Sequence, residues 1–212
     1  MVQKSLKLPI ASITPITFQD FPDHIAAIIW FMGCNMRCSY CHNPDLVLGK
    51  YRPLRFEDVV SFLNSRSKLL QGIVLSGGEC TLAKDFIAFA SLIKELGFKV
   101  KIDTNGSNPQ VVREAISLNL VDYVAIDFKA PNHKFEAVTK LNSFDKFVES
   151  LDILISSDID FEVRTTVDPN QLLVSDIVEM QNFLKDRAIF NPLILQNFIG
   201  GNTLSDVLGG RR

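Results

Sequence analysis

The chain alternates short apolar runs with amphipathic stretches. Ala26 to Phe31 is a run of apolar, β-branched and aromatic residues, of a length that suits a buried strand. Phe56, Val59, Val60 and Leu63 fall at i, i+3, i+4 and i+7, one face of a helix. Ile73-Val74-Leu75 predicts a second strand, which ends at Ser76-Gly77-Gly78. Phe86, Phe89, Ala90 and Ile93 repeat the helical spacing, with Gly97 at a C-cap position. Lys99 to Asp103 predicts a third strand before an Asn105-Gly106 turn, and Val111 to Leu118 a helix. Tyr123 to Asp127 reads as a fourth strand. Phe144, Phe147, Val148, Leu151 and Ile155 line a helical face. Phe161 to Val167 alternates as a fifth strand, and Val174, Ile177, Val178 and Leu184 mark a last long helix. Leu193-Ile194-Leu195 is the sixth strand. Residues 1–24 read as a lead-in and the Gly-rich tail, 199–212, as loose.

Strands interleaved with helices in this way mean βα repeats, a parallel sheet and right-handed crossovers. No linker divides the sequence, so 1–212 reads as one domain. Residues able to do chemistry recur where successive strands end: a cysteine loop, then Ser76 to Glu79, then Asp103-Thr104-Asn105, then Asp127 and Lys129. A curved parallel sheet brings such ends to one mouth, whereas an open sheet concentrates them at a single switch point. Six βα units fall short of the eight of a closed barrel. The expected α/β architecture is an incomplete (βα)6 parallel barrel, open on one side.

Hydrophobic residues make up 47% of the 212 and charged residues 22%, a globular composition. Lys plus Arg, 22, nearly balance Asp plus Glu, 24, which argues against a broad nucleic-acid surface. The apolar stretch Ile25 to Met32 is far short of the about 20 residues that span a bilayer. No signal-peptide core follows the first lysines, so a cytoplasmic location without a membrane partner is expected. In reducing cytosol, Cys34, Cys38 and Cys41 read as a metal or catalytic site before they read as disulfides.

Their C-x3-C-x2-C spacing puts three soft ligands on one loop, enough to hold three corners of a cubane [4Fe-4S] cluster. The fourth iron would then keep an open position for a small molecule. A structural zinc site needs four ligands, with Cys80 available as the fourth; His42 is poorly placed beside Cys41. Three metal-free buried cysteines are the blandest alternative. The run typical of bacterial ferredoxins is absent.

Cys34 to Cys41, followed by His42-Asn43-Pro44-Asp45, resembles the cluster loop of the radical S-adenosylmethionine (SAM) superfamily. The Cys41-His42-Asn43 ending is similar to that of the glycyl-radical-enzyme activating proteins. Ser76-Gly77-Gly78-Glu79, Asp103-Thr104-Asn105-Gly106 and Asp127-Phe128-Lys129 follow in that family's order, and Thr17 to Pro22 resembles its lead-in. The compact length is most similar to the activating proteins of anaerobic ribonucleoside-triphosphate reductase, with the pyruvate formate-lyase activating enzyme as the close alternative. A radical SAM enzyme acting on a small molecule is a further reading.

The resemblance implies that SAM chelates the open iron and is cleaved by one electron to a 5′-deoxyadenosyl radical. That radical would take a Cα hydrogen from a glycine of a partner enzyme. A flavodoxin or ferredoxin-type electron donor is implied as well. It places Gly77, Gly78 and Glu79 at the methionine amine and Tyr40 at the adenine. Asp103, Thr104 and Asn105 would meet ribose hydroxyls or, with Asp127, a monovalent cation. Lys129 would face the SAM carboxylate, and Arg164 either that carboxylate or Glu79. Each residue also has a plainer role: a strand-to-helix turn for the glycines, turn-forming for Asp103 to Asn105, and solvated positions for Lys129 and Arg164. Arg37 and His42 would either hydrogen-bond cluster sulfur or sit exposed on the loop. His24 and His133 carry no motif. Cys80 stands where the family more often has Pro or Ala, and reads as a small buried filler.

Overall fold

One seven-stranded sheet, in the order β1-β2-β3-β4-β5-β6-β7, organises the computed structural model, which describes residues 6–189 and 192–209. Six strands run parallel: β2 (Ala26–Phe31), β3 (Gly72–Gly77), β4 (Lys99–Thr104), β5 (Tyr123–Asp127), β6 (Asp160–Val167) and β7 (Ile194–Asn197). These are the strands that the apolar runs predict. β1 (Ile10–Thr17) pairs antiparallel with β2, and β1 and β7 form the two edges, so the sheet does not close. The predicted helical stripes become α2 (Phe56–Arg66), α3 (Phe86–Glu95), α4 (Pro109–Ser117), α6 (Phe144–Ile155) and α7 (Val174–Lys185). Three shorter helices go beyond the sequence reading: α1 (Pro44–Val47), α5 (Asn132–Thr139) and α8 (Leu204–Gly209). No helix is long and apolar enough to cross a membrane among the described residues.

One expectation gains detail and one is corrected. The lead-in contains a strand, because β1 tolerates Pro15 at a sheet edge, where one missing N–H and a register shift between Thr14 and Thr17 disrupt no second neighbour. The tail is not loose through residue 209. Thr203 and Asp206 cap the start of α8 reciprocally: Thr203 N and Oγ1 donate to Asp206 Oδ2 at 2.8 and 2.7 Å, and Asp206 N donates back to Thr203 Oγ1 at 3.4 Å. Leu204 is buried beneath this cap. Residues 210–212 of that expectation lie outside the described ones.

The period-two alternation of the strands sorts side chains onto two faces. Outward go Ala27, Ile29, Phe31, Ile73, Leu75, Val100, Ile102, Val124 and Ile126, all fully or almost fully buried within one large apolar core. Phe128, Phe135, Phe144, Phe147 and Phe183 form an aromatic cluster in it, with Phe128 stacked on Phe147 at 4.7 Å. Inward, the barrel is layered. Phe21, Ala26, Ile28 and Val74 fill the end where the parallel strands begin. Above them lies a ladder of charges: Lys101 Nζ sits 2.9 Å from Asp103 Oδ1 and 3.7 Å from Glu162 Oε1. Above that, at the strand ends, the interior opens.

Candidate functional site

The opening is a cavity of about 250 Å³ at the C-terminal ends of the parallel strands. Of the sequence-predicted site residues, Cys34, Cys38, Cys41, Tyr40, Gly77, Gly78, Asp103, Thr104, Asn105, Asp127, Lys129 and Arg164 line it. Glu79 and Cys80 do not. Ser76, from the same motif as the glycines, lines it too, and so do residues outside the motifs: Trp30, Thr166 and Gln196. The signal for Thr166 was the alternation itself, since it sits on the inward face near a strand end.

The cysteine loop is held from several directions. Cys41 N donates to Cys38 O at 3.1 Å, closing a turn between two cysteines. Gly33 N donates to Leu46 O and Arg37 N to Thr139 O, both at 2.8 Å. Leu204 N donates to Cys41 O at 2.9 Å and Ser205 N to Ser39 O at 3.0 Å, so α8 clasps the far end of the loop. Gln171 Nε2 donates to Ser39 Oγ. Arg37 is exposed and spends its guanidinium on the carbonyls of Cys34 and Met36, not on sulfur. His42 is exposed and packs its ring near Phe198.

The Gly-Gly pair has a structural reason that the sequence does not show. Gly77 has φ +124°, and a Cβ there would stand 2.3 Å from Phe31 O. A Cβ on Gly78 would stand 1.9 Å from Gly33 O, the first turn of the cysteine loop. Glu79 N then donates to that same Gly33 O at 2.8 Å. The two glycines thus dock β3 against the loop and present bare backbone to the cavity.

Glu79 lies behind the cavity wall, 2% exposed. Its Oε1 accepts from Thr81 N, Thr81 Oγ1 and Thr104 Oγ1, and its Oε2 from Asn105 N at 2.7 Å. Burial raises its carboxyl above the ordinary range, against the pull of these hydrogen bonds. In this arrangement its role is to pin the turn after β4. Cys80 is fully buried in a 3-10 turn (Cys80–Leu82), where Sγ donates to Asp103 O at 3.5 Å.

Asp127 Oδ2 accepts from Lys129 Nζ at 3.0 Å, and Arg164 Nε reaches Asp127 Oδ1 at 3.3 Å. Arg164 Nη1 is 3.7 Å from Asp103 Oδ1. Burial alone would raise the Asp127 carboxyl, but Lys129 and Arg164 outweigh it and hold it below the ordinary value. Burial likewise would lower Lys129, and Asp127 more than reverses it. Arg164 is therefore inward and paired, as a buried guanidinium must be.

A model of the radical SAM superfamily matches residues 28–184 of this chain. The chain belongs to the radical SAM superfamily. A Methanocaldococcus jannaschii protein, provisionally named a glycyl-radical enzyme activating enzyme, is 35% identical over 191 residues, 87% of this chain and 79% of its own. The pyruvate formate-lyase-activating enzyme of Streptococcus mutans is 35% identical over 127 residues, 51% of this chain and 46% of the relative. The chain thus matches less than half the length of that relative. Among solved structures, native anSMEcpe with bound AdoMet superposes with a TM-score of 0.64 at 19% identity, over 85% of this chain and 60% of that one. That likeness shows the shared open-barrel fold.

Radical SAM enzymes use a [4Fe-4S] cluster and SAM, and the residues present fit both. Zinc would need thiolates about 3.8 Å apart, given Zn–S bonds of about 2.3 Å. Among the described residues, the only three ligand atoms from His, Cys, Asp or Glu mutually within 4.8 Å are those of His133, Asp176 and Glu179, so the loop sulfurs are spread wider than a zinc set. Burial pushes the Cys34 thiol up to about 12 and raises Cys38 as well, the reverse of an activated nucleophile. Tyr40 Oη is buried at the cavity and faces the Cys38 thiol as its one polar neighbour, which leaves hydrogen-bonding capacity for a ligand. A monovalent cation fits less well. Asp103 and Asp127 already pair with cations of the chain, and Thr104 Oγ1 donates to Glu79 at 2.9 Å.

Proposed function

We propose that this radical SAM enzyme is an activase that places a glycyl radical on a partner enzyme. One observation carries the reading: three cysteines, a bare Gly-Gly backbone and a buried cation pair face one cavity at an open barrel mouth. The naming of the archaeal relative, whose similarity extends over most of both chains, supports it. When bound, the cluster and SAM together supply a 5′-deoxyadenosyl radical able to remove a Cα hydrogen.

The chain's own residues do the rest. Cys34, Cys38 and Cys41 would hold three irons and leave one free. Gly77 and Gly78 would offer backbone groups to the methionine amine. Lys129, with Arg164 behind it, would neutralise the SAM carboxylate. Asp103, Thr104 and Asn105 would meet the ribose side, and Tyr40 the adenine. The sheet stays open with β1 and β7 as its edges, and a glycine-bearing loop would enter from that open side. For the partner we take anaerobic ribonucleoside-triphosphate reductase first and pyruvate formate-lyase second; similarity to the lyase-activating enzymes supports the second. A cytoplasmic setting and a flavodoxin or ferredoxin-type donor belong to the same proposal.

The test is anoxic reconstitution with iron and sulfide, followed by reduction and SAM in the presence of each candidate partner. The expected results are about four irons per chain and a glycyl doublet in the electron paramagnetic resonance spectrum. SAM cleavage without a doublet on any such partner would favour a small-molecule substrate.

A further inference from the structure

The turn after β4 reaches back to one cysteine of the loop. Asn105 Nδ2 lies 3.8 Å from Cys34 Sγ and 3.0 Å from Asn35 Oδ1. Which end of this amide faces the sulfur is fixed by its surroundings. Ser107 N, a donor only, gives its hydrogen to Asn105 Oδ1 at 2.9 Å, so the –NH2 must be the end toward Cys34. Asn35 is locked in turn, because its Nδ2 donates to Ser107 Oγ at 2.8 Å. The backbone of Asn105 is pinned by Glu79 at 2.7 Å, and Asn105 is 4% exposed. A second donor, Met36 N, reaches Cys34 Sγ at 3.4 Å. Cys38 sulfur instead faces the Tyr40 hydroxyl, and only Cys34 receives an amide donor from the turn after β4, so the sulfurs are inequivalent.

We infer that Asn105 tunes the reduction potential of the cluster through its hydrogen bond to Cys34 sulfur. This rests on the cluster reading above and goes beyond the ribose role given to Asn105 there. A donor aimed at a cysteine sulfur withdraws negative charge from it and favours the reduced, more negative cluster, so it raises the potential. Asn35, Ser107 and Glu79 are positioning residues that hold the donor in place. The wall behind the cavity is thereby linked to the electron that must arrive before SAM is cleaved.

The experiment is an anoxic redox titration of the reconstituted protein followed by electron paramagnetic resonance, with iron counted on each sample. Asn105→Leu and Asn105→Asp, which both lack the donor, should keep about four irons per chain and titrate at a more negative midpoint than wild type. Asn35→Leu, which loosens the donor without removing it, should shift the same way by less. Asn105→Ser, which restores a donor, should return part of the shift. Variants fully loaded with iron that titrate at the wild-type midpoint would overturn the inference. Should the Asn105 variants fail to assemble a cluster, a wild-type midpoint in Asn35→Leu would overturn it equally. Wild-type protein that binds no iron would instead defeat the functional reading on which it stands.

Discussion

The two ends of the barrel are built from the same strands and could hardly differ more. Where the parallel strands begin, Phe21 covers Gly72, and Ala26, Ile28 and Val74 complete an apolar plug. Where they end, the same alternation delivers Ser76, Asp103, Asp127, Arg164 and Thr166 to an open cavity. The plug maximises burial. The mouth holds two cations, Lys129 and Arg164, against acidic partners, a buried tyrosine hydroxyl and thiols raised by burial. Within the barrel, apolar packing therefore resides at one end and chemistry at the other, and substitutions should separate the two.

The largest effect should break the division. Gly78→Val lies at the mouth but meets backbone at 1.9 Å, not a ligand. It should cost more than about 4 kcal/mol and detach the cysteine loop, so that iron retention and thermal stability fall together. A variant with normal melting that loses SAM binding alone would show that the glycine serves only the ligand. Phe21→Ala, at the plugged end, should cost about 3 kcal/mol by denaturant titration. Its folded fraction should load iron and cleave SAM as wild type does; a changed cleavage rate would mean that the two ends communicate. Lys129→Met should do the reverse, weakening SAM binding by about tenfold or more while the iron content holds, as read by calorimetry.

The smallest effect lies away from both ends. Asp176 at the start of α7 accepts from Lys134 Nζ and Leu173 N, both at 2.6 Å. Burial would raise its carboxyl, but Lys134 and the helix cap hold it below the ordinary value. A lowered carboxyl stabilises the fold above the unfolded value near 3.9, and that contribution is lost as pH falls through the folded value. Asp176→Asn should thus melt below wild type at pH 7, with the gap closing under about pH 4. A gap that persists in acid would assign the loss to packing.

Much of this division was legible beforehand. The six parallel strands announced themselves because outward positions are apolar and each run ends in polar residues. β1 hid behind Pro15 and its bulged register, although Ile10 and Ala11 begin it as buried residues. α8 is too short for a periodic signal; the Thr203-Leu204-Ser205-Asp206 capping pattern was its trace. At the site, the cysteines and cavity-lining motifs were readable from spacing. The turning of Glu79 away from the cavity was not, because its partners Thr81, Thr104 and Asn105 come together only when β3 and β4 pair.

The clasp of α8 on the cysteine loop turns two backbone amides into natural probes. Leu204 and Ser205 donate to carbonyls of Cys41 and Ser39, so their deuterium uptake depends on how firmly that loop is held. A loop stiffened by metal should slow exchange in the peptide spanning them, and mass spectrometry could then follow loading without any chromophore.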